Sequence, residues 1–129
     1  MHGRIALDSD IAIKFLNGDK TIESFLSSYT EFYLPVIVVG ELIFGALNSR
    51  HVDENLARHK KLIQRANILE ITEATANIYA KSRLALKKKG TPIPENDLWI
   101  AAICIEHKMP FITNDAHFKG IDNLMLLSI

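Results

Sequence analysis

The sequence predicts an α/β domain with three layers, in which a central, mostly parallel sheet of four to five short strands lies between helices. Short apolar runs alternate along the chain with longer segments whose apolar residues recur at helical spacing. Strands that alternate with helices are typical of parallel sheets with helices on both faces. The chain has 129 residues, 48% of them hydrophobic, which suffices for one such core but not for two. We therefore expect residues 1–129 to form a single domain.

The N-terminal half contains the first two strand and helix pairs. The run Arg4-Ile5-Ala6-Leu7 predicts a strand that ends at Asp8. The helix after it, with Ser9 as the expected N-cap, ends at Asn17. An amphipathic stretch at about 20–29 predicts a second helix. The run 31–34 then predicts a strand that ends at the next proline.

Pro35 opens a helix that runs to about Asn48 and contains Glu41. Apolar residues occupy nearly every side of this helix apart from Glu41. This apolar surface is larger than packing against one sheet can bury. A surplus apolar face is typical of an interface, so we expect a homodimer.

The C-terminal half continues the alternation. It predicts, in order, a helix at 53–66, a strand at 68–71, a helix from Ala74 to Lys89, a helix at 96–107, a strand at 111–113 and a strand at 124–127. The helix at 96–107 is apolar nearly all round, so it should be buried against the sheet. Asp97 falls in its first turn behind the expected cap Asn96, and Asp115 closely follows the strand at 111–113.

Composition excludes several classes of protein. The formal charge is zero, from 15 Lys+Arg and 15 Asp+Glu, so no overall basic field indicates nucleic-acid binding, and a polyanion would have to be held locally. The single cysteine, Cys104, lies in an apolar stretch and fits a reducing compartment. No run of membrane-spanning length and no secretory segment occur, so we expect a cytoplasmic protein without a membrane partner.

Four acidic residues lie where buried-type apolar runs begin or end: Asp8, Glu41, Asp97 and Asp115. In open α/β sheets the ligand crevice lies beyond the carboxyl ends of the strands, where the fold can gather these side chains. Buried carboxylates that repel one another are stabilised by a hard divalent cation, Mg²⁺ or Mn²⁺. Such sites cleave phosphodiesters, so the residues predict a hydrolytic nuclease in which all four acids are both metal ligands and catalytic residues.

Four segments carry a resemblance to a known family: LDSDIAIKFL, VVGELIFGAL, TPIPENDLWIAA and ITNDAHF. Together, and in this order over nearly the whole chain, they resemble a PIN domain, and specifically the VapC toxins of prokaryotic type II toxin–antitoxin pairs. The resemblance implies a PIN-like fold and a Mg²⁺- or Mn²⁺-dependent endoribonuclease. It also implies an RNA substrate, a homodimer and a small cognate VapB-like antitoxin.

The neighbours of the four acids match the family less uniformly. Ser9 matches the small hydroxyl residue that often follows the first acid, and Thr113 and Asn114 match the polar residues before the last one. Asp10 stands where many relatives have Asn, and His117 stands where many have Asp. These departures leave the four acids intact.

Several other polar residues near these motifs are expected to have ordinary structural roles. Asp10 and Glu95 are expected to be exposed cap or turn residues rather than water-mediated participants in the site. His117 is expected to be a surface loop histidine rather than a ligand of metal or phosphate. The run Lys87-Lys88-Lys89 is expected to complement a helix C-terminus rather than to bind RNA.

Three alternative functions remain open at this point. Asp8-Ser9-Asp10 after a strand also resembles the opening of aspartate-nucleophile phosphatases, although that reading leaves Glu41 without a role. A PIN-domain nuclease that processes cellular RNA would carry the same acids. A PIN-like module that binds RNA or a partner without cleaving it is the third alternative.

Overall fold

The computed structural model describes residues 2–129, and its centre is a sheet of five parallel strands in the spatial order β3-β2-β1-β4-β5. The strands are β1 His2–Leu7, β2 Tyr29–Pro35, β3 Asn67–Leu69, β4 Phe111–Ile112 and β5 Leu126–Leu127. The helices are α1 Ser9–Leu16, α2 Lys20–Leu26, α3 Val36–Leu47, α4 Val52–Arg65, α5 Glu73–Lys89 and α6 Glu95–Glu106, with a 3₁₀ turn at Ala116–Gly120. The predicted α/β class and the parallel sheet are confirmed.

The strand order places the carboxyl ends of β1 and β4 side by side. Strands β2 and β3 lie on one side of β1 in the sheet, and β4 and β5 lie on its other side. Leu7 at the end of β1 pairs with Ile112 at the end of β4. A point where the strand order reverses in this way leaves a crevice beyond the carboxyl ends of the strands, so residues after β1 and β4 face the same crevice.

The central strand and α6 form much of the core. Ile5, Ala6 and Leu7 of β1 are buried, and so is every residue of the stretch 100–104 in α6, including Cys104. Burial raises the pKa of the Cys104 thiol, which keeps it a neutral core residue. The expectation that this helix is buried against the sheet is confirmed. None of the helices that the structure describes is long and apolar enough to cross a membrane.

The predicted boundaries need correction at several ends. Asp8, and not Ser9, is the N-cap of α1, since its carboxylate accepts the backbone N–H of Ser9. Pro94, and not Asn96, precedes α6, so the helix begins one residue earlier than predicted. Strand β2 begins at Tyr29 because that residue pairs with His2. The start of β2 depends on its pairing with a neighbouring strand, and local sequence does not report that pairing.

Candidate active site

Asp8 lies at the centre of the crevice. Its backbone N–H donates to the Ile112 carbonyl at 3.0 Å, which joins it to the end of β4. Its carboxylate accepts hydrogen bonds from the Ser9 N–H at 2.9 Å and from the Thr113 hydroxyl at 2.6 Å, and the residue is only 5% exposed. Burial raises the pKa of Asp8 to about 7, the two hydrogen bonds oppose the rise, and the charges of Asp10 and Glu41 add to it. A buried carboxylate beside two others is the environment that a cation would stabilise.

Glu41 reaches the same crevice from the middle of α3. Burial raises the pKa of its carboxyl, the side chains of Ser9 and Asn96 lower it by hydrogen bonding, and the charges of Asp97 and Asp10 raise it further. Its Oε1 is nevertheless enclosed and accepts no hydrogen bond from any residue in the described part of the chain. An enclosed oxygen of this kind costs free energy unless a donor or an ion meets it.

Asp97 and Asp115 approach each other from α6 and from the segment after β4. The pKa of Asp97 is raised, mainly by burial and then by the charge of Asp115, while His117 lowers it. The imidazole Nδ1 of His117 lies 3.1 Å from Asp97 Oδ2 and 3.0 Å from Asp115 Oδ1. One ligand atom from each of these three residues lies within 4.8 Å of the others. Among the side chains that the structure describes, this trio comes nearest to a preformed metal site.

Asp10 also belongs to the acidic group, and the expectation of an exposed cap or turn residue misses this. Its Oδ1 does bind the N–H of Ile11 at 2.8 Å, as a local capping residue would. Its Oδ2, however, accepts the backbone N–H of Asn114 at 3.0 Å, which ties the start of α1 to the segment after β4. Its charge contributes to the raised pKa of Asp8, Glu41 and Asp97. No periodicity in the sequence distinguishes this carboxylate from an ordinary first-turn residue.

His117, which the sequence predicts to be a surface loop histidine, lies among the acids, with its Nδ1 next to Asp97 and Asp115. The signal that was available is its spacing, two residues after Asp115 in a segment that follows a strand end. Glu95 lies apart from the acids. Its Oε1 accepts a hydrogen bond from the Tyr79 hydroxyl and lies 3.8 Å from Arg83 Nη1.

The four predicted acids are brought together by the fold. Successive pairs are close enough to perturb each other's pKa: Asp8 with Glu41, Glu41 with Asp97, and Asp97 with Asp115. Asp8 and Glu41 lie outside the close trio. Repulsion among ionised carboxylates favours this spread, and a divalent cation with oxygen ligands would draw them inward.

Two cavities adjoin the helices that carry the acids. One of about 370 Å³ is lined by Glu41 and Asn96 together with the apolar face of α3 formed by Val36, Ile37, Gly40 and Phe44. Another, of about 460 Å³, lies between α5 and the loop before α6, and Arg83, Lys87 and Glu95 supply its charged lining. The first cavity adjoins the acids directly, so a bound segment there would touch Glu41.

Comparison with known proteins places this geometry in a family. Residues 5–124 match the PIN domain family. The chain is similar to ribonuclease VapC1 of Haemophilus influenzae strain R2866, with 32% identity over 123 residues, which is 92% of each chain. It superposes on the VapBC2 structure from Rickettsia felis, which is bound to a promoter DNA fragment, with a TM-score of 0.89, 25% identity and 98% coverage of each chain. It superposes on VapBC-1 from nontypeable Haemophilus influenzae with a TM-score of 0.87, 29% identity and 97% coverage of each chain. The chain therefore belongs to the PIN-domain family, in the group that contains the VapC ribonucleases.

Proposed function

We propose that this protein is a metal-dependent endoribonuclease and the toxin of a VapBC-type toxin–antitoxin pair. The observation that carries the proposal is the convergence of four carboxylates at the switch point of the sheet, with the pKa of Asp8 raised to about 7 and an oxygen of Glu41 left without a donor in the described chain. Perturbed carboxylates in a crevice are typical of a functional site rather than of a structural ion pair. The relative VapC1 named above is a ribonuclease, which supports RNA as the substrate.

The residues present fit a hard divalent cation. Asp8, Glu41, Asp97 and Asp115 would hold Mg²⁺ or Mn²⁺, because carboxylate oxygens are the ligands these ions prefer. A bound ion would supply positive charge to the crevice and stabilise the charge that develops during phosphodiester hydrolysis. The enclosed Oε1 of Glu41 is the feature of the chain that such an ion would satisfy.

The chain's own residues orient the acids. The Thr113 hydroxyl donates to Asp8 Oδ2 at 2.6 Å, so the Asp8 carboxylate is held in one orientation. The Thr113 Oγ1 in turn accepts the backbone N–H of Asp115 at 3.0 Å, which connects the first acid to the last. Asp10 anchors the same segment through Asn114. These bonds keep the crevice in shape before a substrate arrives, which is how a site gains from positioning.

The cavity beside Glu41 suits an antitoxin segment. It combines the apolar face of Val36, Ile37 and Phe44 with an acidic edge, and Phe44 is 67% exposed. We propose that a segment disordered on its own lays apolar residues along α3 and presents an Arg or Lys to the acids, since a guanidinium pairs well with carboxylates. The superposed structures of the relatives are VapBC complexes, which supports a partner of this kind.

A homodimer is proposed from exposed aliphatic side chains on α3 and α5. Leu47 of α3 is 55% exposed and Leu84 of α5 is 51% exposed. Large exposed aliphatic side chains on two helices favour burial against a second copy of the chain.

The function is tested with purified protein on total RNA in Mg²⁺, Mn²⁺ or EDTA, with Asp97→Asn as the variant. We expect cleavage with either ion, none with EDTA, and a loss of at least about 100-fold in Asp97→Asn with the fold retained, because one carboxylate of the set is removed. Glu95→Gln is the matched control, since Glu95 lies two residues away in the same helical turn but contacts Tyr79 and Arg83. Full cleavage by Asp97→Asn would refute the site. RNA binding without metal-dependent cleavage by the wild type would instead indicate a non-catalytic PIN-like module.

A further inference from the structure

His117 lies on the surface, but its imidazole is held close to two of the acids. Its side chain is 54% exposed, yet its Nδ1 lies 3.0 Å from Asp115 Oδ1 and 3.1 Å from Asp97 Oδ2. Its backbone N–H also donates to Asp115 Oδ1 at 2.9 Å, so the start of the 3₁₀ turn fixes the residue next to the last acid. The imidazole therefore points a nitrogen into the group of carboxylates.

The separations suit ligands of one ion. In an octahedral site with metal–ligand distances of about 2.1 Å, neighbouring ligand atoms are about 3.0 Å apart and opposite ones about 4.2 Å apart. The two distances from Nδ1 match neighbouring ligands, and all three atoms lie within 4.8 Å of one another. A hydrogen bond from Nδ1–H to the two carboxylates gives the same distances, and a nitrogen signal on the bound ion distinguishes the two arrangements.

We propose that His117 is a nitrogen ligand of the metal site, which makes the site of this chain prefer Mn²⁺, a first-row transition ion that accepts nitrogen ligands more readily than Mg²⁺ does, over Mg²⁺. The inference rests on the proposed function only in assuming that the acids bind a divalent ion. The chemical reason is that imidazole nitrogen binds first-row transition ions well, whereas Mg²⁺ favours oxygen ligands and retains its water. An all-oxygen version of the same site would lose this part of the preference.

The test measures metal binding without RNA. Mn²⁺ binding to the full chain is followed by electron paramagnetic resonance, and Mg²⁺ affinity is obtained by competition. The variant is His117→Asp, which replaces the nitrogen by an oxygen ligand. The matched control is His107→Gln, because His107 lies at the opposite end of α6 from Asp97 and its nearest carboxylate is Glu106 at 3.9 Å.

In the wild type and in His107→Gln, we expect the electron spin echo of bound Mn²⁺ to show modulation from a directly bound nitrogen. In His117→Asp the modulation should vanish, and the ratio of Mn²⁺ to Mg²⁺ affinity should fall by about tenfold, which is the order of loss on removing a group that supports a metal site. Mn²⁺ bound by the wild type without nitrogen modulation, or an unchanged affinity ratio in His117→Asp, would overturn the inference and leave the proposed function standing. Failure of the wild type to bind either ion would overturn both, and Asp97→Asn then shows whether the acids have any role in RNA cleavage.

Discussion

Replacement of Asp8 by Asn should stabilise the metal-free protein at pH 8 but not at pH 5. The raised pKa of Asp8 means that, between about pH 4 and pH 7, the folded chain binds a proton that the unfolded chain has released. The contribution of Asp8 to the free energy of unfolding is therefore fully present below about pH 4 and is lost as pH rises through about 7. At pH 8 the wild type carries a buried negative charge, which Asn lacks.

The size of the effect follows from the shift and from the hydrogen bonds. A rise from 3.8 to about 7 corresponds to about 4 kcal/mol. Asn has one acceptor oxygen in place of two, so the bond from Ser9 N–H or from the Thr113 hydroxyl is weakened, at a cost of about 1–2 kcal/mol. The net gain at pH 8 is about 2–3 kcal/mol, or roughly 5–10 °C in Tm for a chain of this size. At pH 5, which lies about 1.2 units above the unfolded pKa of 3.8, the gain is only about 1.6 kcal/mol and the weakened hydrogen bond offsets it, so the variant should melt close to wild type.

Thermal unfolding followed by circular dichroism in EDTA, at pH 5 and at pH 8, measures the difference. Asp53→Asn is the matched control, because Asp53 is an exposed acid in the first turn of α4 and its replacement should produce no pH-dependent gain. Added Mg²⁺ or Mn²⁺ should raise the Tm of the wild type and not that of Asp8→Asn, since an ion stabilises only the chain that binds it. An Asp8→Asn protein that melts below wild type by the same margin at both pH values would refute the reasoning.

Three further outcomes are expected. Thr113→Val should raise the pKa of Asp8 further and weaken Mn²⁺ binding by about tenfold; calorimetric titration checks this beside the exposed Thr91→Val, and equal affinities would contradict it. Leu47→Asp should convert a dimer to a monomer in light scattering, because it places a charge in the proposed interface, and a wild type that is already monomeric at micromolar concentration would count against the dimer. Inhibition by the cognate antitoxin should weaken as the concentration of Mg²⁺ or Mn²⁺ rises, because the ion and the antitoxin's cation compete for the carboxylates beside Glu41. RNA cleavage assays check this, and inhibition that is equal at all metal concentrations would rule out this mode of binding.

The sequence by itself was sufficient for the fold class, the parallel sheet and the order of its elements, because apolar periodicity and strand-terminal polar residues are local properties. It also singled out Asp8, Glu41, Asp97 and Asp115, since carboxylates at the ends of buried apolar runs stand out without any knowledge of contacts. Their order and surrounding motifs were enough for the resemblance to the PIN domain, which the match over residues 5–124 confirms.

Only the tertiary structure decided which other side chains join the acids. Asp10 and His117 look like an ordinary helix-start carboxylate and an ordinary loop histidine, and their places in the crevice depend on β1 and β4 being neighbours in the sheet. The burial of Asp8 and the enclosure of the Glu41 oxygen likewise depend on how the helices close over the strand ends. Strand register and helix packing arise between segments that are distant in sequence, so a pattern read along the chain does not contain them.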